Sequence, residues 1–318
     1  MSFKKIQGQQ RAVDTLRGFI KSARVPRGVI FAGPPGVGKA IAALEFAKTL
    51  NCLDAASRAA GDNCGVCQNC AHIDGKTHPD IIFADYAYQA ALRGEEVEKQ
   101  QTIRVDTVRS LTAASQQRPV LAKWKVYIID SAEKLLEEGA NALLKFIEEP
   151  PQNTVWILVS SKREAMLATI KSRCQTVNFL PLGDDIIIKI LTDNFTEPSL
   201  AAKAAGYAGG STAKAFLAAE TLGDFAGLPG GAAFAPAAAM NMSKTLAQAR
   251  VQAGCILDML AVSAHKEWAA APAAKQAALQ ELLGKIVFYK KALTRNTAPA
   301  LVVEAALMAA GEANISIK

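Results

Sequence analysis

The sequence predicts a doubly wound α/β domain followed by helical segments. Short β-rich runs alternate with helical stretches over the first ~180 residues, the pattern of a sheet whose strands are linked by crossover helices. The runs are almost wholly apolar and rich in Val, Ile and Phe, as strands covered on both faces of a parallel sheet must be. Beyond "FLPLGDD" (179–185) the pattern changes to short helices, and from about 241 apolar residues recur at three- and four-residue spacings.

The expected strands are "GVIFAG" (28–33), "DIIFAD" (80–85), "KVYIID" (125–130), "VWILVSS" (155–161) and "QTVNF" (175–179). Helical patterns lie between them, among them "KAIAALEFAKTL" (39–50) and "GANALLKFIEE" (139–149). From 182 to 222 short helices follow, including "DDIIIKILTDNF" and "STAKAFLAAE". "GDFAGLPGGAAFAPAAAMN" (223–241) combines Gly, Pro and Ala and reads as a loop or hinge. Residues from about 241 onward are helical again.

At 318 residues the chain exceeds one ordinary domain, and two or three are expected. Half of its residues are hydrophobic, enough for a core in each. A formal charge of +7 is compatible with a polyanionic partner but does not require one. "MSFKKIQGQQ" has no apolar stretch behind it, so no signal peptide is expected there, and no run approaches a membrane span. A cytoplasmic protein is expected.

"GVIFAGPPGVGKA" (28–40) runs an apolar strand into a phosphate-binding loop. Glycines let successive backbone N–H groups turn toward phosphate oxygens, and the next helix adds the positive end of its dipole. Gly33, Pro34, Pro35, Gly36, Val37, Gly38 and Lys39 form the expected loop, with Lys39 reaching the β and γ phosphates. Ala40 stands where a Ser or Thr hydroxyl normally ligates Mg²⁺, so nucleotide binding can survive while metal positioning suffers. "KVYIID" ends in Asp130, a residue type that holds Mg²⁺ through water and that also serves as a helix N-cap. Ser131 follows where such ATPases often carry a Glu to polarise the attacking water, and Glu133 is expected to point elsewhere.

"NCLDAASRAAGDNCGVCQNC" (51–70) spaces Cys52, Cys64, Cys67 and Cys70 as C-x11-C-x2-C-x2-C. Four thiolates suit a closed tetrahedral site, with zinc as the expected structural metal. His72 and His78 could replace one ligand. Buried free thiols and a redox C-x-x-C pair are the alternatives.

"GPPGVGK", the cysteine knuckle after the following helix, "HPDIIFAD", "KVYIID", "NALLKFIEEPP" (141–151) and "SRC" (172–174) occur in this order. Together they resemble the AAA+ subunits of the bacterial DNA polymerase III clamp loader, densely over residues 5 to 220. The resemblance implies an AAA+ P-loop domain over 1–180 with a parallel five-stranded sheet and a zinc-binding insertion at about 52–70. It also implies a small helical lid over 181–225 and a C-terminal all-α collar over 226–318 that holds a hetero-pentamer together.

Within that family the chain looks more like the delta prime type than the gamma/tau motor. Motor subunits resemble "IIDEVHML" where this chain has "IIDSAEKL", and their P-loop ends in Lys-Thr or Lys-Ser. Their lid carries Gly-Ser-x-Arg, where "GGSTAKA" here puts Ala213, with Lys214 beside it. "IRVDTVRSL" (103–111) also resembles a delta prime segment. The hydroxyl, the acid and the arginine are thus all missing, at Ala40, Ser131 and Ala213. Such groups commonly supply several kcal/mol each, so the resemblance implies little or no ATP hydrolysis by the chain itself.

Arg173 of "SRC" is implied to be an arginine finger acting in trans on a neighbouring ATPase subunit; its plain reading is a surface arginine in a salt bridge. Ser160 and Ser161 lie where the family keeps a polar sensor of the γ phosphate. Implied partners are the delta and gamma/tau subunits, with the sliding clamp and primed DNA reached through the complex. Zinc is the implied structural cofactor, ATP or ADP the possible ligand. The alternatives are an ATP-hydrolysing gamma/tau-type subunit, a P-loop small-molecule kinase, and a zinc-bearing scaffold with an empty loop.

Overall fold

The computed structural model describes residues 3–226, 228, 234–242, 245–269, 271–295, 297–315 and 317. Its backbone contacts divide the chain into two compact units, 1–182 and 183–318.

The first unit is built on a five-stranded sheet. Its strands are β1 (Gly28–Ala32), β2 (Ile81–Ala84), β3 (Lys125–Ile129), β4 (Thr154–Ser160) and β5 (Gln175–Asn178), in the order β2-β3-β4-β1-β5. Every strand pair is parallel, with Val29 opposite Ile157 of β4 and Gln175 of β5. All five expected strands are present, because β1, β3 and β4 are buried along their whole length. The helices are α1 (Gln10–Lys21), α2 (Lys39–Asn51), α3 (Ala55–Ala59), α4 (Gln68–Asp74), α5 (Tyr86–Arg93), α6 (Val105–Ser115), α7 (Glu137–Glu148) and α8 (Ala168–Lys171).

Alternate residues of each strand feed two cores. Val29, Phe31, Val126, Ile128, Val155 and Ile157 meet Val13 and Leu16 of α1 and Phe46 and Leu50 of α2. Ile30, Tyr127, Ile129, Trp156 and Leu158 meet Val108 and Leu111 of α6 and Leu143 and Ile147 of α7. Tyr127 stacks on Trp156 at 4.6 Å between ring centroids. This is the layered parallel architecture expected of an AAA+ P-loop domain.

The second unit, taken by itself, is helical: α9 (Asp184–Asp193), α10 (Pro198–Ala208), α11 (Thr212–Phe225), α12 (Phe234–Met240), α13 (Leu246–Trp268), α14 (Ala273–Thr294) and α15 (Pro299–Glu312). Buried Ala201, Ala204 and Ala205 of α10 and Ala215, Ala218 and Ala219 of α11 allow close helix approach. On α14, Leu282 and Ile286 are buried while Val287 and Phe288 face out, so "LLGKIVFYKKAL" supplies both core and surface. The Gly/Pro/Ala segment departs from the expected hinge. Residues 227 and 229–233 lie outside the described residues, but α11 reaches Phe225 and "FAPAAAM" forms α12. Alanine is the strongest helix former, and Pro236 sits in the first turn, where its missing N–H costs little. Among the described residues, no helix is long and apolar enough to cross a membrane.

Candidate nucleotide site, cysteine cluster and arginine edge

The P-loop leaves the C-terminal end of β1 and turns into α2. Gly33 passes so close to the next strand that a Cβ there would stand 2.2 Å from the Phe179 carbonyl oxygen, which excludes any side chain. Gly38 precedes α2 with φ +93°, a conformation other residues rarely adopt, and no side chain caps the helix start. That uncapped N-terminus is suited to anions.

Lys39 is buried. Its ammonium donates to the carbonyls of Gly33 (2.7 Å) and Pro34 and to Ser161 Oγ at 3.4 Å. Burial lowers its pKa, opposed by the charges of Asp130 and Glu133. Burial raises the Asp130 carboxyl, with Asp85 and Glu133 adding to the rise and Lys39 opposing it. Burial likewise raises the Tyr86 phenol, helped by Glu133 and Asp130. Asp130 and Glu133 therefore act electrostatically on both Lys39 and Tyr86 at one end of the sheet.

Glu133 corrects the expectation that it points elsewhere. Ser131 adopts φ +54°, which reverses the chain into a 3₁₀ turn over Ala132–Lys134. Glu133 Oε2 then accepts the Ser161 N–H at 3.2 Å. Of the two serines ending β4, Ser160 is fully buried and its Oγ accepts the Lys162 N–H, so Ser161 is the one beside Lys39. Ala40 offers no oxygen.

Next to the loop, Gly8, Gln9, Arg11, Thr176 and Asn178 line a cavity of about 510 Å³. Buried Gln9 ties its walls together, since its amide pairs with both backbone groups of Leu180 and reaches the Val37 carbonyl. Polar Gln9 on a surface-like helix start carried no signal of this in the sequence.

The cysteines converge as their spacing predicts. The Sγ atoms of Cys52, Cys64, Cys67 and Cys70 lie within 4.8 Å of one another, near the ~3.8 Å separations of a tetrahedral zinc–thiolate site. The Cys64 N–H donates to Cys52 Sγ and the Cys67 N–H to Cys64 Sγ, both at 3.3 Å, bonds that stabilise thiolates. Burial raises the Cys67 thiol, but hydrogen bonds from the Leu53 and Cys70 backbone outweigh it and leave it at about 7. Burial pushes Cys52 and Cys70 up. This cluster could hold a metal such as zinc. His72 and His78 are not in the group: His72 Nδ1 pairs with Thr77 Oγ1, and His78 Nδ1 accepts the Asp80 N–H.

A buried polar network fastens this module to α2. Lys48 bridges Glu45 and Asp74 at 2.7 Å each, and the Asn63 amide reaches Glu45 and Thr49. Asn69 donates to the Asn51 carbonyl, and Asn51 pairs with both backbone groups of Trp124.

Arg173 lies at the opposite end of the strands from the P-loop. Val29 pairs with Gln175, so the residues before Gln175 flank the start of β1, whereas the P-loop follows its end. Five residues of strand, about 16 Å, separate the two ends. The Arg173 side chain is half-exposed and paired with Glu148, as its plain salt-bridge reading has it. In the second unit, Lys214 pairs with Asp258 of α13 at 3.1 Å, and Asp258 also pairs with Lys290 of α14.

A parallel five-stranded sheet with a phosphate-loop sequence after β1 and an acidic strand end beside it defines an α/β protein of AAA+ architecture. The chain belongs to the DNA polymerase III delta-subunit family, whose profile matches residues 8–183. It is 32% identical over 193 residues to DNA polymerase III subunit delta' of Bacillus subtilis, covering 61% of this chain and 54% of that protein. It is also 32% identical over 199 residues to subunit tau/gamma of Haemophilus influenzae, covering 63% of this chain and 27% of that one. The chain thus spans about half and about a quarter of the lengths of these relatives. In fold it is similar to a DNA polymerase III gamma subunit-related protein of Thermotoga maritima, with a TM-score of 0.55 at 16% identity, covering 93% and 97% of the two chains.

Proposed function

We propose that this chain is a delta prime-type subunit of a DNA polymerase III clamp loader, a stator that hydrolyses little or no ATP and supplies Arg173 to a neighbouring ATPase subunit. Its family and the names of its relatives support the clamp-loader reading. The observation that carries the stator role is the position of Arg173. At the end of the strands away from its own P-loop, its guanidinium can meet a triphosphate only on another subunit. There it would stabilise charge developing on the transferred phosphoryl group.

Three features support weak hydrolysis at the chain's own site. Ala40 offers no metal ligand, Ser131 no carboxylate, and Ala213 no guanidinium. Lys214, the nearest cation in sequence, is held by Asp258. The P-loop retains the form for phosphate, so ATP or ADP is the proposed ligand, with Gly33–Ala40, Asp130 and a β4-end serine around it. Zinc is the proposed occupant of the four-cysteine cluster, holding the insertion closed. Residues 181–225 are proposed as the lid and 226–318 as the collar.

One observation favours a second reading, a catalytic gamma/tau-type subunit. Glu133 lies close enough to Lys39 and Asp130 to act electrostatically on both, so a carboxylate is not wholly missing.

The test is DNA-stimulated ATP turnover by the loader assembled with cognate delta and gamma/tau subunits. Arg173→Ala is expected to lower it about tenfold or more with assembly intact, while the chain alone shows no turnover above background. Unchanged turnover in the variant loader, or motor-like turnover by the isolated chain, overturns the reading.

A further inference from the structure

Arg173 does not extend freely from the surface. Its Nε donates to Glu148 Oε1, and its Nη1 donates to the Thr169 carbonyl at 3.1 Å and to Ser172 Oγ at 3.2 Å. Among the described residues these bonds use Nε and Nη1 and leave Nη2 for another acceptor, on a side chain that is half-exposed.

The two backbones that carry this pair are fixed. Glu148 is the last residue of α7 and follows Ile147, while Arg173 precedes Cys174. Ile147 and Cys174 are both buried against Gly28 at the start of β1. A Cβ on Gly28 would stand 2.8 Å from Cys174 Sγ and 3.0 Å from Ile147 Cγ2, so strand, helix end and arginine segment meet without slack. Packing sets the separation of Glu148 and Arg173, and the carboxylate then selects one orientation of a side chain that otherwise has many rotamers.

We propose that Glu148 is a positioning residue for Arg173: it holds the guanidinium by its inner Nε edge so that Nη2 faces the neighbouring subunit's nucleotide. This rests on the reading of Arg173 as a finger acting in trans. Both side chains are half-exposed, so the pair adds little to stability, and its contribution is orientation. A finger that reaches its phosphoryl target already aligned loses less entropy in the transition state. Positioning requires an acceptor at Oε1, which a glutamine amide also supplies, whereas electrostatic restraint requires the negative charge.

The experiment compares loaders assembled with Glu148→Ala, Glu148→Gln, Arg173→Ala and the Glu148→Ala/Arg173→Ala double variant. It reads kcat and KM for ATP with primed DNA and clamp present, alongside thermal midpoint and assembly. Glu148→Ala is expected to lower kcat about tenfold with KM, midpoint and assembly little changed. Glu148→Gln, whose amide oxygen still accepts from Nε, is expected to recover most of that loss. The double variant is expected to match Arg173→Ala alone, because the two residues act as a unit. An unchanged kcat in Glu148→Ala overturns the proposal if Arg173→Ala still falls. A rate raised by both Glu148 variants overturns it as well, since Glu148 is then a brake. Unchanged turnover in Arg173→Ala overturns the trans-acting reading itself.

Discussion

Glu133 Oε2 accepts the backbone N–H of Ser161 at 3.2 Å, and Ser161 Oγ in turn accepts from the Lys39 ammonium. This chain of bonds joins the loop after β3, the end of β4 and the P-loop lysine. It brings a second carboxylate toward a site where Asp130 already supplies one. Both favour the charged lysine, and both repel a polyphosphate that arrives without Mg²⁺. Glu133→Gln is therefore expected to tighten Mg²⁺-free ADP binding about tenfold, measured by calorimetry or fluorescence titration. Turnover by the isolated variant is expected to stay at background. A fall from measurable turnover would instead make Glu133 the water-polarising base of an active ATPase.

The Lys214–Asp258–Lys290 cluster bears on the arginine that the proposed lid lacks at Ala213. A lysine beside that position could stand in for it, but Asp258 holds it against α13 at 3.1 Å. Lys214→Met is expected to leave nucleotide affinity unchanged and to lower stability by no more than about 1 kcal/mol, because the pair is half-exposed and screened. Denaturant unfolding and nucleotide titration check both halves. A clear loss of ATP affinity would give Lys214 a sensing role.

What the sequence showed and what it hid follow from the range of the interactions. The strands were readable because two-sided burial writes itself as unbroken Val/Ile/Phe runs such as Val29–Phe31. The cysteine cluster was readable because ligand spacing is local. Glu133 was not, since its direction depends on Ser131 taking a left-handed turn that serine seldom adopts. Nor was the burial of Lys48 and Glu45, which look like ordinary charged helix positions until the cysteine insertion covers them. The pairing of Glu148 with Arg173 spans 25 residues and is set by packing on Gly28, which no local pattern encodes. Ser161 rather than Ser160 faces Lys39 for a similar reason, the exact register at which β4 ends.

The cysteine module has few apolar side chains of its own, and polar bonds fasten it to α2 and, through Asp62, to Arg17 of α1. One zinc per chain is expected by elemental analysis. Cys70→Ser is expected to abolish stoichiometric zinc and to destabilise the first unit by about 3 kcal/mol or more, seen as a lower thermal midpoint. A metal-free wild-type chain with an unchanged midpoint after chelation would assign the cluster to free thiols.

Asp80 gives the acid limb of stability. Its buried carboxylate accepts the backbone N–H groups of Val120, Leu121 and Ala122 at 2.7 to 3.0 Å, fixing the loop that leads into β3. Burial alone would raise this carboxyl, but the three N–H donors outweigh it and hold the pKa below the ordinary aspartate value. An unfolded aspartate titrates at about 3.9, so the depressed folded value makes the ionised group stabilising. That contribution is complete above about pH 5 and disappears as pH falls through the lower folded value. Asp80→Asn keeps one acceptor oxygen, brings an amide that cannot accept, and is expected to cost about 2 kcal/mol at pH 7. The deficit is expected to shrink steadily below about pH 4, because the wild-type chain loses the same charge there. Urea unfolding of both proteins from pH 7 to pH 2 measures this. A deficit that stays constant down to pH 2 would show that Asp80 stabilises the loop by shape and not by its charge.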